Sequence, residues 1–176
     1  KIPTISTRVE VSEATVSVPT PPITLERVKG EFVYEYPRGI ADGSLAARFE
    51  NQDILLDLDL DANDLGLSQK GFSIATSARL GGADVNRLLG VTVPDGLLDG
   101  SSAFDIVFQA GRGVALNVTS DLDGLAVGLP LPFNKSPEQS ESLEIDLRIS
   151  DVLSIDATYS NNLSLSIAQD AEDAWR

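Results

Sequence analysis

The chain has 176 residues, of which 42% are hydrophobic but only 6% aromatic, and 27 acids against 13 bases give a net charge of −14. That balance leaves no basic footprint for nucleic-acid phosphates and no attraction to an anionic membrane surface. Cysteine, histidine and methionine are absent, which excludes disulfides, Cys or His metal ligands and a His base for a Ser or Thr nucleophile.

In chain order the sequence reads as strand after strand. Val9, Val11, Val16 and Val18 suggest a first hairpin ending at Pro19, Pro21 and Pro22. Ile23 to Tyr36 is strand-like, with Phe32, Tyr34 and Tyr36 on one face, and Pro37-Arg38-Gly39 is a turn. Strands follow at 44–49 and 54–65, then at 72–80 with Phe72, Ile74 and Leu80 in phase. Ala83 to Leu89 is the one stretch with helical spacing, through Val85, Leu88 and Leu89, with Gly90 placed to end it. Val91 to Leu98 is irregular, and Phe104, Ile106 and Phe108 align in the next strand.

Leu116, Val118 and Leu122 alternate with Asn117, Thr119 and Asp121 until Gly124, Gly128, Pro130 and Pro132 break the pattern. Pro cannot donate to a ladder, so this segment leaves the sheet or runs along its edge. Leu143, Ile145, Leu147 and Ile149 alternate with Glu144, Asp146, Arg148 and Ser150; Ile155, Ala157 and Tyr159 come next. Asn161-Asn162 forms a tight turn into Leu163, Leu165 and Ile167.

Consecutive strands with short turns predict an all-β, antiparallel meander, strongly twisted, with one apolar and one wet face. An apolar face has to be covered, and no long amphipathic helix is present to cover it. Two solutions remain: the sheet closes on itself as a sandwich or barrel, or its face stays open and holds a ligand. No run of about 18 apolar residues predicts a membrane-spanning helix.

The motifs that suggest chemistry have simpler readings. Asp57, Asp59, Asp61, Asn63 and Asp64 resemble calcium ligands, but neither register supplies the Gly and Glu that such a loop needs. Alternation with Leu56, Leu58 and Leu60 makes them the solvated face of a strand. Gly111-Arg112-Gly113 is a hairpin turn, because no helix pattern follows it. Asn117-Val118-Thr119 and Asn162-Leu163-Ser164 match the glycosylation sequon, one in mid-strand and one in a tight turn. Acid pairs are frequent but aromatic sugar platforms are scarce, so no catalytic residue is predicted and the chain reads as a non-enzyme without cofactor or metal. Lys135 is either a surface loop lysine or a binding residue.

Several segments occur in an order that resembles a known family. They are the strand ending Lys29-Gly30, a Gly-x-Leu-Ala-Ala-Arg-Phe-Glu-Asn run from Gly43, and the Ala83-Asp84-Val85-Asn86-Arg87-Leu88-Leu89 helix. Leu98-Asp99-Gly100 follows, then Ser120-Asp121-Leu122-x-Gly124 and Leu129-Pro130-x-Pro132-x-x-Lys135, the most specific element. The chain, from about residue 23 to 168, is similar in these respects to the AsmA-like, YhdP-type proteins of the Gram-negative envelope. Members of that family are longer and carry an inner-membrane helix, so the resemblance implies a middle segment of a periplasmic protein.

The resemblance also implies a function: a repeating β-groove, apolar inside, that carries phospholipid between inner and outer membranes without catalysis. The candidate lining is Leu56, Leu58, Leu60, Phe104, Ile106, Phe108, Leu116, Val118, Leu143, Ile145, Leu147 and Ile149. In this division residues 1–22 are a strand pair from a preceding repeat, 23–170 the β-groove segment and 171–176 a frayed tail. A cut groove would leave sheet edges open to self-association. The competing reading is a closed β-sandwich, serving as an envelope scaffold or adhesin module without ligand.

Overall fold

A computed structural model describes residues 5–18, 23–36, 39–59, 72–89, 92, 94–110, 113–160 and 162–170. More than half the chain is strand: β1 (Ile5–Val18), β2 (Ile23–Tyr36), β3 (Gly39–Phe49), β4 (Gln52–Asp59), β5 (Phe72–Gly81), β6 (Leu98–Ala110), β7 (Val114–Ser120), β8 (Leu125–Val127), β9 (Leu143–Ile149), β10 (Val152–Tyr159) and β11 (Leu163–Asp170). One helix, α1 (Gly82–Leu89), lies between β5 and β6. All strands join one open antiparallel sheet in the order β1-β2-β3-β4-β5-β6-β7-β9-β10-β11, with β8 paired to β6 off this path. The two outer strands, β1 and β11, do not pair with each other, so the sheet is neither a barrel nor a sandwich.

The period-two pattern explains why the strands form and how they are registered. In β4, residues 54, 56 and 58 are buried and 53, 55, 57 and 59 are exposed, so a slip of one residue would bring the aspartates into the core. The accessible surface is 11380 Å², whereas a compact monomer of this mass exposes about 8300 Å². The excess is what a single sheet layer produces, since a sandwich would bury both inner faces.

The N-terminal part differs from the expected hairpin. Residues 5–18 form one strand paired along β2, with register shifts between Val11 and Ala14 and again between Ala14 and Val16. Bulges of this kind absorb the polar Ser12 and Glu13 without a turn and bend the strand. β1 is thus a full member of the sheet that β2 to β11 build. β3 begins at Gly39, five residues before the expected Ser44, and β6 begins at Leu98 through Gly100-Ser101-Ser102. The predicted strand over 54–65 is observed to Asp59, and its remainder lies outside the described residues. Residues 171–176 lie outside them as well.

Because the strands alternate in direction, the two long connections, α1 with residues 90–97 and the segment 121–142, emerge at the same end of the sheet. That end is capped. Leu122, Leu125 and Val127 of the 121–142 segment join Val28, Ala47, Phe49, Ile54, Leu56, Ala78, Leu80 and Phe104 in the buried cluster.

Candidate functional site

Pairing partners in a ladder share a face, so the observed registers trace the apolar surface residue by residue. One unbroken row crosses ten strands: Val9, Phe32, Gly43, Leu58, Ile74, Phe108, Leu116, Leu147, Ile155 and Ile167, each directly opposite the next. At about 4.8 Å per strand the row is about 43 Å long. A flanking row runs Thr76, Ile106, Val118, Ile145, Ala157, Leu165, and another Phe72, Ala110, Val114, Ile149, Leu153, Gln169. The rings of Phe72 and Phe108 meet on this face with centroids 6.1 Å apart. No charged side chain interrupts these rows.

Gly43 is the row's only residue without a side chain. A Cβ there would collide with Phe32 Cβ and would lie 2.6 Å from Phe32 Cα. The glycine lets β2 and β3 approach closely at the point where their register shifts, between Val33 and Tyr34.

All eleven described residues of the predicted lining lie on this one face; Leu60 falls outside the described residues. Their burial divides them. Leu56, Leu58 and Phe104 are each 6% exposed, and Leu56 and Phe104 belong to the closed cluster under the cap. All three are core rather than open lining: residues 121–142 cover the face at Leu56 and Phe104, while Leu58 is buried outside that cluster, at the other end of β4. Ile106, Phe108, Leu116, Val118, Leu143, Ile145, Leu147 and Ile149 are half-buried. Toward β11 the face opens fully: Leu163 is 40%, Leu165 53% and Ile167 46% exposed. The sequence reading missed Val9, Ile74, Leu153 and Ile155, which carry the same period-two signal but fall on the apolar face only once the register is known.

The cap is built around Lys135. Its Nζ donates to the carbonyls of Leu122 and Leu125, both at 2.7 Å, and of Ser136 at 3.1 Å. Lys135 is 3% exposed. It is neither a surface lysine nor a binding residue: three carbonyls that no ladder satisfies take its three protons. Lys135 also exchanges two backbone hydrogen bonds with Val127. Gly100, at φ 92°, lets this segment close on β6, since a Cβ there would strike the Gly124 carbonyl. The Tyr159 hydroxyl donates to the Phe133 carbonyl at 3.0 Å and pins the cap to β10. Burial and the Glu141 carboxylate push the Tyr159 phenol above its ordinary pKa. The predicted departure of Pro130 and Pro132 from the main sheet is observed; β8 is the only strand in this segment.

The opposite face is acidic and exposed at β4, but its row through Ser73, Gln109 and Ala115 is buried. Asp57 and Asp59 are exposed, as a solvated strand face requires. Among the described residues no group of three or more acids is arranged to hold a metal ion. A concavity of about 500 Å³ lies among Arg8, Glu31, Asp42, Asp57 and Asp59, with Arg8 and Glu31 3.7 Å apart and both exposed. Asn117 Nδ2 donates to Asp146 Oδ1 across β7 and β9, so the first sequon asparagine is engaged within the sheet.

No helix among the described residues is long and apolar enough to cross a membrane. Compared with known proteins, the chain matches no family model, no curated protein and no solved structure.

Proposed function

We propose that the chain is a segment of an envelope lipid conduit that holds phospholipid acyl chains along its apolar face, without catalysis. The observation that carries this reading is the unbroken apolar row from Val9 to Ile167, buried at Leu58, half-buried along most of its length and exposed at β11. A face rich in Leu, Ile and Val with no charge in phase suits acyl chains. Each methylene moved onto it from water gains about 0.8 kcal/mol, and a tail of about 16 carbons gains on the order of 10 kcal/mol before ordering costs. The row is continuous across strands, which suits sliding along the groove better than capture in one pocket. The exposed acids of the reverse face, Asp57 and Asp59 among them, keep the sheet soluble in the periplasm. The order of segments resembling the AsmA-like, YhdP-type proteins supports the same reading, in which the segment would lie between an inner-membrane anchor and the outer membrane.

The scaffold or adhesin reading needs the apolar face to be a sealed core. Its support is the buried cluster at the capped end and the buried Leu58, Gln109 and Ala115 outside it. Native mass spectrometry of the chain purified from a Gram-negative host tests the two. Phospholipid adducts released on activation are the expected result. Lipid-free protein, with no crosslink from a photoreactive residue at position 147, would overturn the conduit reading.

A further inference from the structure

The two ends of the apolar face differ where β7, β9 and β10 cross it. At one end the segment 121–142 closes over it: Leu143 and Tyr159 pack against the buried cluster, and the Tyr159 hydroxyl donates to the Phe133 carbonyl. At the other end β9 turns into β10 through Ser150 and Asp151, both exposed. Val114, Ile149 and Leu153, the last apolar row before that turn, are half-buried. The charge of the closing segment is one-sided. It carries four acids, Asp121, Asp123, Glu138 and Glu141, and one base, Lys135. The three protons of that lysine are all given to carbonyls. A phosphate brought under the cap would lose its water, meet acids and find no free donor on the lysine.

We propose that phospholipid on this face lies along the strands, with its tail ends toward the cap and its glycerophosphate end at the uncapped rim. This rests on the conduit reading and adds the direction in which each lipid is held. The dimensions favour it. From Leu143 to Ile149 β9 advances about 20 Å, and the tails of one leaflet fill about 15 Å, half of a hydrocarbon core of about 30 Å. A tail thus runs from rim to cap within one strand length, and the head stays in water beside Ser150 and Asp151. Farther along the same rim, Tyr34 and Tyr36 continue the Phe32 side of β2 and are 42% and 51% exposed. Tyrosine suits such a boundary, with its ring on apolar surface and its hydroxyl in water. Heads then file along the rim while tails slide from strand to strand. β7, β9 and β10 are interior strands, so the direction does not depend on what adjoins β1 or β11.

Two phospholipid probes test the direction, one with a photoreactive group at its tail end and one with the group beside the glycerol. Each is offered in vesicles to the full chain, and labelled residues are mapped by mass spectrometry. The tail-end probe should label Leu143, Ile145 and Tyr159 at least fivefold more than Ile149 and Leu153, and the glycerol-side probe the reverse. Ala157, opposite Ile145, lies about 13 Å from the rim. Ala157→Trp should weaken binding of a lipid with tails of about 16 carbons more than tenfold. A lipid with tails of about 8 carbons, which stop short of that position, should lose less than threefold. Circular dichroism should show the Trp variant folded, because Ala157 is only half-buried. Labelling of cap and rim alike by both probes, the opposite order, or equal weakening of both lipids by Ala157→Trp would overturn the direction and leave the conduit reading standing. No labelling from either probe would overturn both.

Discussion

The Gln52 side chain stands in for a peptide group beside Arg79: Nε2 donates to the Arg79 carbonyl at 2.6 Å, and Oε1 accepts the Arg79 N–H at 2.9 Å. It does so because β4 and β5 part. Among the described residues their ladder covers only residues 57–59 against 73–75. Toward the capped end the strands diverge, and Thr76 Oγ1 is buried there without a partner. Besides the clasp, an ion pair between Glu50 and Arg87 bridges the two sides, with Asp84 beside Arg87.

Gln52→Leu removes this clasp at nearly constant volume. Both Arg79 backbone groups lose their partner, and because they are exposed the cost is about 1 kcal/mol. Chemical denaturation should show the loss. Hydrogen exchange should quicken at Arg79 and stay slow at Ile74, where the ladder is intact. Equal protection of Arg79 in both proteins would show that the clasp contributes nothing.

Lys135→Met keeps the stem of the side chain and deletes its three donors. The Leu125 carbonyl loses the lysine donor outright, while those of Leu122 and Ser136 keep the N–H groups of Leu125 and Gln139, and about 1–3 kcal/mol should be lost. Proteolysis should then cut within 121–142 before it cuts the sheet, which limited digestion followed by mass spectrometry would detect.

The raised Tyr159 pKa makes the attachment of the cap sensitive to alkali. The folded state holds the neutral phenol, which donates to Phe133. A raised folded pKa contributes stability that is fully present below the unfolded value of about 10 and is lost as pH rises through the folded value. A melting series across pH 9 to 12 should show a fall that Tyr159→Phe lacks. The Phe variant should begin lower at neutral pH, by about 1 kcal/mol for the missing hydrogen bond.

Charge placed on the apolar face should have opposite effects at its two ends. Leu56→Asp buries an unpaired carboxylate in the capped cluster and should unfold the chain, at a cost of about 4 kcal/mol or more. Leu147→Asp places the same group on the half-open part, where water reaches it. That variant should stay folded and lose lipid adducts and crosslinks. Thermal melts of both decide the point; unfolding of the Leu147 variant would mean that the face is closed at β9.

Strands with strict alternation were fully legible in the sequence. Residues 23–36 and 143–149 are observed with the expected bounds, and the helix expected from Ala83 starts one residue earlier, at Gly82. Segments whose strand character comes from pairing rather than composition were not. Gly39, Ala41, Asp42 and the stretch Gly100 to Ser102 have little β propensity and extend because a neighbour supplies the ladder. Leu122 reads as a continuation of β7, yet it sits at φ 55° and turns the chain into the cap. For the face itself, period two shows which residues within a strand point together, but only the register shows which strands align. Lys135 could not be read from sequence at all, because its partners are backbone carbonyls, which leave no trace in residue type.

Every strand on the main path pairs with the one before and after it in the chain, and only β7 and β9 skip a strand, the short β8. Stability is then close to a sum of nearest-neighbour terms, as in a linear array of repeats. Hairpins can form one after another with little loop-closure cost. Removing an outer strand loses one junction and leaves the others intact. A chain wired this way can gain or lose length by a strand at either margin while the rows of the remaining strands keep their alignment.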